Sequence, residues 1–337
     1  MISKRFLLKR VLLLIPVLLG VATFVFAILH LSPGNPARSM AGQRASEEFV
    51  RQIERDLGLD EPIWVQYGEF LFNTLKLDLG QSYNIRRGVP VTTILGDKLP
   101  TTIEMAVLGQ IIGVSIGIPL GIISAVKQNS FTDHFTRVGA LTGISVPIFW
   151  SGPLLILLFA QMLGVLPTSG RIATEYSIPA ITGFITLDTL LVLEFDAFIS
   201  AVRHLFLPCL VLGIYQMALI SRMMRSSMLE VVRQDYIRTA RAKGQGIKIT
   251  LMKHGLRNAL IPVITVIGIQ FGSLLGGAVL TETVFGISGV GRLLVDAISA
   301  GDYPVVQGTV LVFAFLFTLV NLGVDITYSY LDPRIEQ

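Results

Sequence analysis

The stretch RSSMLEVVRQDYIRTARAKGQGIKITLMKHGLRNALIP, residues 225–262, decides how this chain is read. It carries Arg225, Arg233, Arg238, Arg241, Lys243, Lys248, Lys253 and Arg257 against only Glu230 and Asp235. Long apolar runs stand on both sides of it. An excess of Lys and Arg between two apolar spans marks the cytoplasmic side of a bilayer. Its middle, DYIRTARAKG (235–244), is longer than a connector requires, since a short polar hairpin would join two spans. With its helical character it reads as a surface offered to a soluble partner.

The rest of the chain agrees with a membrane setting. Of 337 residues, 52% are hydrophobic and only 15% charged, where about 25% charged is usual for a soluble domain. The mean hydropathy is +0.68. The net charge of +4 is modest, and its distribution matters more than its total, so nucleic acid is not implied. The one cysteine, Cys209, lies in an apolar run and allows neither an internal disulfide nor a cysteine metal cluster.

Crossing about 30 Å of hydrocarbon takes about 20 residues. Six stretches meet that length: 10–31, 101–126, 136–164, 205–224, 259–281 and 304–330. The first follows a basic MISKRFLLKR but runs on to Leu31 with no A-x-A-type site, so it is expected as a retained span. Placing the N-terminus inside puts Lys4, Arg5, Lys9, Arg10, Lys127, Arg137 and the whole basic loop in the cytoplasm. The short outer loops then keep only Arg171, Arg203 and Arg292, so both termini are expected inside.

Residues 32–97 are expected as a small helical cap on the outer face. Ser46 is placed to cap a helix that presents Phe49, Ile53 and Leu57 and stops at Gly58. Pro62 then opens a second helix with Trp64, Tyr67, Phe70, Leu71 and Thr74 on one side. The resulting division is 1–31 (N-terminus and first span), 32–97 (outer cap), 98–330 (five further spans with a basic loop at 225–258) and 331–337 (cytoplasmic tail). Outer segments 165–204 and 282–303 hold LPTSGR and the turn-rich GISGVG (286–291).

Gly109, Gly113, Gly117 and Gly121 recur every four residues in the second span, and Gly268, Gly272 and Gly276 in the fifth. Such stripes let helix backbones approach closely. They serve static packing, the commoner use, or a surface that slides. Gln110, Gln161, Gln216, Gln270, Asn321 and Asp325 are polar residues within spans. Gln216 and Gln270 lie near mid-span and are candidates for a transport pathway, with an interhelical hydrogen bond as the other reading. Asp325 sits close enough to the inner end to reach water.

Catalytic motifs fail on context. GVSIG (113–117) matches the G-x-S-x-G elbow, but Ser115 falls mid-helix in the glycine stripe, where the elbow needs a strand-to-helix turn. There is no G-x-x-x-x-G-K-[ST] and no H-E-x-x-H, and His30, His134, His204 and His254 have no ligand spacing. Any ATP that drives transport must be bound by another subunit.

SSMLEVVRQDYIRTARAKG followed by HGLRNALIPVITVIG (254–268) resembles the coupling loop of bacterial-type ABC importer permeases. HLSPGNPA (30–37), LGLDEPIWVQY (57–67), LDLGQS (77–82), PIFW (147–150), LPTSGR (166–171), LTETVF (280–285), DYPVVQG (302–308) and DPRI (332–335) extend the resemblance over nearly the whole chain. It is strongest to the dipeptide/oligopeptide/nickel subfamily, and within it to the first (B-type) permease of dipeptide systems. The family's E-A-A, three residues, G pattern falls on Arg238-Thr239-Ala240 and Gly244, keeping an alanine and the glycine without the glutamate.

The resemblance implies an all-α polytopic protein of type I ABC importer permease architecture, with six transmembrane helices and the cap inserted between the first two. It implies a plasma-membrane importer half that pairs with a second, paralogous permease and takes ligand from an extracytoplasmic binding protein. A short coupling helix within 235–246 would dock on one of two P-loop ATPases, which hold the ATP and Mg. Arg238, Thr239, Ala240, Arg241, Ala242, Lys243 and Gly244 are then the coupling residues. The cargo would be a di- or oligopeptide, with glutathione or a nickel chelate as alternatives. An ion-coupled secondary transporter would show inverted repeats and intramembrane acids, and neither stands out.

Overall fold

The computed structural model describes residues 4–31, 36–41, 46–56 and 58–331. They are mostly helical. Among them there is no strand, only an isolated bridge between Gln81 and Pro90. Helix α1 (Lys4–Leu31) is followed by short α2 (Pro36–Ala41), α3 (Glu47–Asp56) and α4 (Ile63–Leu75). The long α5 (Val91–Val126) comes next, then α6 (Phe131–Ser145) and α7 (Ile148–Leu155), which runs into a π-helical segment, Ile156–Met162. After α8 (Ile185–Leu191) comes α9 (Phe195–Val232). The basic region holds α10 (Asp235–Ala242) and α11 (Ile247–Thr250), and a π-turn (Leu251–Gly255) leads into α12 (Leu256–Val284). The chain closes with α13 (Val290–Ala300) and α14 (Tyr303–Leu331).

Among the described residues, five helices are long and apolar enough to cross a bilayer: α1, α5, α9, α12 with its π-turn, and α14. A sixth crossing exists if α6 and α7 count as one span. The run expected over 136–164 is bent by 115° between Phe131–Ser145 and Trp150–Met162. Pro147 explains the break. It bars the preceding residue from the helical region, and Val146 is extended at φ −79°, ψ 122°. Two other spans are longer than expected. α5 starts ten residues before 101, and α9 exceeds 205–224 at both ends. Hydropathy reports the apolar part of a helix, not its length.

The same effect revises the basic region. Residues 225–258 are mostly helical, since α9 continues to Val232, α10 spans Asp235–Ala242 and helix resumes at Ile247. Arg225 belongs to the bundle. Its Nε and Nη2 donate to the two carboxylate oxygens of Asp133 at 2.7 and 2.8 Å. Ser124 Oγ and the Asn129 N–H complete that carboxylate at 2.6 and 2.9 Å. Breaking such a buried pair from one side costs roughly 3–5 kcal/mol.

At the other end, Ser46 Oγ accepts the Phe49 N–H at 3.3 Å, and Gly58 stops α3 with φ +65°. Leu57 lies outside the described residues. Pro62 caps α4, which leans on α1. Tyr67 and Phe70 stand 5.2 and 5.6 Å from the Phe26 ring, and Tyr67 Oη is 2.6 Å from Thr23 Oγ1. Trp64, expected on the same side, is 73% exposed. The buried Asp302 moors the segment that follows. It accepts Ser82 Oγ at 2.6 Å and the N–H groups of Tyr83, Asn84 and Ile85 at 3.1, 2.9 and 2.9 Å. Burial pushes this carboxyl up, but the four donors outweigh it and hold it below the ordinary carboxylate range.

The centre is the α5–α9 seam. A Cβ on Gly109 would lie 2.9 Å from Leu212 Cβ. One on Gly113 would lie 2.5 Å from Gln216 Cβ, one on Gly117 2.9 Å from the Met217 carbonyl oxygen, and one on Gly121 2.6 Å from Met224 Cβ. Gly213 receives Ile112 in return, at 2.7 Å. On α12, a Cβ at Gly268 would collide with Val324 and one at Gly272 with Phe317, both on α14. Gly276 does not continue this stripe, because nothing lies within 4 Å of its Cβ position. At that level the contact passes to Gly277, which faces Leu212 and Ile148 at 3.6 and 3.7 Å.

Gly113→Leu should therefore lower stability by about 3 kcal/mol or more, beyond the usual range for overpacking because backbone must move. Gly276→Leu should leave it within about 1 kcal/mol of wild type. Thermal melting of both variants in detergent checks this. Equal melting temperatures would refute the seam's tightness.

Candidate functional site

The expected coupling residues fall on α10 and the turn after it. The helix begins at Asp235, whose carboxylate suits the positive N-terminal end. It lies against α11 and the π-turn. Ile237, 2% exposed, anchors it to the protein, and Ala240 is half-buried on the same side. Asn258 Nδ2 donates to Tyr236 Oη at 2.9 Å and ties α10 to the first turns of α12. Arg238, Thr239, Arg241, Ala242 and Lys243 are exposed. Asp235, Arg238, Thr239 and Ala242 recur at i, i+3, i+4 and i+7 and so form one outward stripe. The Arg238–Asp235 pair on it, 3.6 Å apart, has side chains 76% and 96% exposed, so it adds little stability.

Gly244 has a local task. Its N–H donates to the Arg241 carbonyl at 2.9 Å, and the Gln245 N–H reaches the Ala240 carbonyl at 3.3 Å. This is a Schellman ending, with the glycine in the left-handed region at φ +84°. A Cβ there would meet no atom within 4 Å. Backbone conformation, not crowding, is what calls for glycine. The coupling set thus divides into an inward residue (Ala240), a terminator (Gly244) and an outward face (Arg238, Thr239, Arg241, Ala242, Lys243).

The two mid-span glutamines separate. Gln216 is wholly buried. Its Nε2 donates to the Gln270 backbone carbonyl at 3.0 Å, while its Oε1 has no partner among the described residues. It joins α9 to α12, which is the interhelical hydrogen bond of the two readings. The Gln270 side chain is half-buried. Gln110 is buried with neither side-chain atom partnered among the described residues. Asp325 pairs with Arg10 at 2.7 Å. Ser115 sits inside α5 and not on a turn.

Besides Asp302 and Asp188, three further acids are buried that the sequence does not single out. Glu104, 3% exposed, accepts Arg171 Nη2 at 2.9 Å, the Ile185 and Thr186 N–H groups at 3.1 and 2.8 Å, and Thr186 Oγ1 at 2.6 Å. Glu282, wholly buried, accepts Thr102 Oγ1 at 2.6 Å and the Arg292 N–H at 2.9 Å, and it fills the space over Gly289. The turn-rich GISGVG is thereby wrapped around a carboxylate at the start of α13. Asp133 is the third. The signal available in sequence was an acid flanked by small or hydroxylated residues at the edge of an apolar run.

With this geometry the comparisons with known proteins agree. Residues 117–337 match the family described as binding-protein-dependent transport system inner membrane component. Residues 3–106 match its companion, binding-protein-dependent transport system membrane component, N-terminal. The chain belongs to this family. The dipeptide transport system permease protein DppB of Alkalihalophilus pseudofirmus is 48% identical over 97% of this chain and 98% of its own length. Its namesake in Escherichia coli is 46% identical over 98% of each. The di/tripeptide transport system permease protein DppB of Pseudomonas aeruginosa is 46% identical, again over 98% of each. A solved structure of the MetNI methionine ABC transporter, in inward-facing form, superposes with a TM-score of 0.54 at 19% identity. It covers 72% of this chain and 97% of that one. The fold is that of a type I ABC importer permease, and the family is an inner membrane component of a transport system.

If Gly244 is there to end α10, Gly244→Ala should cost roughly 1–2 kcal/mol locally and speed amide exchange over 240–245. Gly246→Ala, whose backbone is not left-handed and whose Cβ position is open, should leave exchange unchanged. Hydrogen-exchange mass spectrometry of both variants tests the assignment, and matching profiles would reject it.

Proposed function

We propose that this protein is a dipeptide-importing permease subunit, half of a translocation pore, that receives the work of ATP hydrolysis through the outward face of α10. The observation that carries this reading is near-full-length identity of 46–48% to permeases named for dipeptide transport. An exposed, well-terminated basic helix at one end of the bundle supports it. The pore partner is a second, paralogous permease. Two P-loop ATPases hold the ATP and Mg, and an extracytoplasmic binding protein presents the peptide. This chain contributes no catalytic group. It sits in the inner membrane with both termini and α10 in the cytoplasm and with 32–97 outside. Transport is a two-state shift, and ATP drives it only by binding one state of the assembly more tightly than the other.

Small Ala242 in the outward stripe admits α10 to a groove on the ATPase, while Arg238, Arg241 and Lys243 reach acids on its rim. Ala242→Trp should uncouple the complex. Labelled dipeptide uptake should fall at least tenfold while ATPase activity no longer follows the binding protein, or the ATPase should detach. Membrane abundance should be unchanged, since the charge bias is intact. Uptake, binding-protein-stimulated ATPase and ATPase retention are measured in one reconstituted preparation. Normal values of all three would remove α10 from the mechanism. Competition by glutathione or a nickel chelate, with no effect of unlabelled dipeptide, would instead overturn the cargo.

Orientation is read separately. In a Cys209→Ser background, Ser46→Cys should react with an impermeant thiol reagent on intact cells, and Gln245→Cys should react only after lysis. The reverse pattern would invert the topology.

A further inference from the structure

The end of the bundle that carries α10 holds a recess of about 330 Å3 between α5, α6 and α9. Three guanidinium groups line it: Arg137 on α6, and Arg222 and Arg225 on α9. Arg225 is committed to Asp133 through Nε and Nη2. That ion pair cancels one positive charge and consumes the only carboxylate at the recess. Arg137 and Arg222 have no hydrogen bond or ion pair among the described residues, so the recess keeps a net charge of two. Hydroxyl-bearing side chains also line the recess. Ser221, only 5% exposed, lines the recess and has no hydrogen-bond partner among the described residues. Its hydroxyl adds a neutral donor beside two forked ones. Convergent arginines with a hydroxyl donor match a phosphate oxygen set.

The wall beside the recess indicates the source of that phosphate. Phe135, Val138 and Leu141 follow one another along α6 at 70%, 62% and 56% exposure, and Leu141 itself lines the recess. A free anion has no use for an apolar flank, whereas a phospholipid presents a phosphate with acyl chains beside it. Basic pockets between helices at the cytoplasmic side are suited to anionic headgroups.

We propose that this recess binds the phosphate of an anionic phospholipid from the leaflet at the coupling end of the bundle, through Arg137, Arg222 and Ser221. Its assignment to the inner leaflet rests on the orientation given above, but the binding itself does not. The lipid would bridge α6 and α9 about three turns before α9 ends at Val232.

Full-length protein is delipidated in detergent and titrated separately with phosphatidylglycerol, phosphatidylcholine and inorganic phosphate. Bound molecules are counted by native mass spectrometry. Wild type should retain one phosphatidylglycerol roughly thirtyfold more tightly than Arg137→Gln/Arg222→Gln, on the order of fivefold per arginine. Phosphatidylcholine should bind weakly, and millimolar inorganic phosphate should not displace the lipid. Arg137→Lys/Arg222→Lys should recover most of the binding, which separates lost charge from lost fold. Arg238→Gln/Arg241→Gln on α10 should bind like wild type. Equal phosphatidylglycerol binding by wild type and Arg137→Gln/Arg222→Gln would overturn the proposal. So would an equal loss in the α10 variant, which would show diffuse charge only. Displacement by inorganic phosphate would replace the lipid with a free phosphate-bearing solute.

Discussion

Everything in this bundle is hung on the contact between the backbones of α5 and α9. In a bilayer, association of helices gains nothing from leaving water, because lipid tails are as apolar as leucine. What remains is van der Waals contact, and that requires closeness. Four glycines on α5 receive Leu212, Gln216, Ile220 and Met224 of α9, and Gly213 returns the favour to Ile112. Neither surface has slack. The pair therefore acts as a platform on which α6, α8 and α12 are arranged, and Gln216 reaches from inside the seam to the backbone of α12.

Around that platform, buried acids hold the bundle's ends. Glu104 joins α5 to the start of α8, Glu282 joins the end of α12 to α13, and Asp302 joins α14 to residues 82–85. Asp133 joins α6 to α9 at the opposite end. Each carboxylate meets several donors in a fixed arrangement, many of them backbone N–H groups that side-chain variation cannot remove. Apolar packing fixes the middle of the bundle, and these polar anchors fix where its outer loops return.

Much of this was legible in sequence because membrane helices are coded by length. The spans, the basic region, the cap of 46–58 and the glycine stripe of α5 could all be read from runs and periods. Failures came where a local rule met a three-dimensional neighbour. Pro147 was visible, yet the apolar run around it concealed a 115° bend. Arg225 counted as loop charge because its partner, Asp133, lies 92 residues away. For Gln216, mid-span polarity gives depth but not direction, so its bond to the α12 backbone needed the third dimension. Gly276 satisfied the four-residue period, but a period alone names no neighbour. The terminating role of Gly244 shows only in its backbone angle.

Helix α9 has one more consequence. It runs 38 residues without a break in its helical assignment, about 57 Å of rod at 1.5 Å per residue, nearly twice the thickness of the hydrocarbon it crosses. Its last two turns project past the seam and end two residues before α10. In mechanical terms it is a lever whose fulcrum lies along the glycine seam and whose short arm carries the basic helix. A tilt of about 5° moves the end of the short arm, about 12 Å past the last seam contact at Met224, by roughly 1 Å. The stiffness that makes the seam intolerant of a single methyl group thus also makes the two ends of α9 turn together, as one rod.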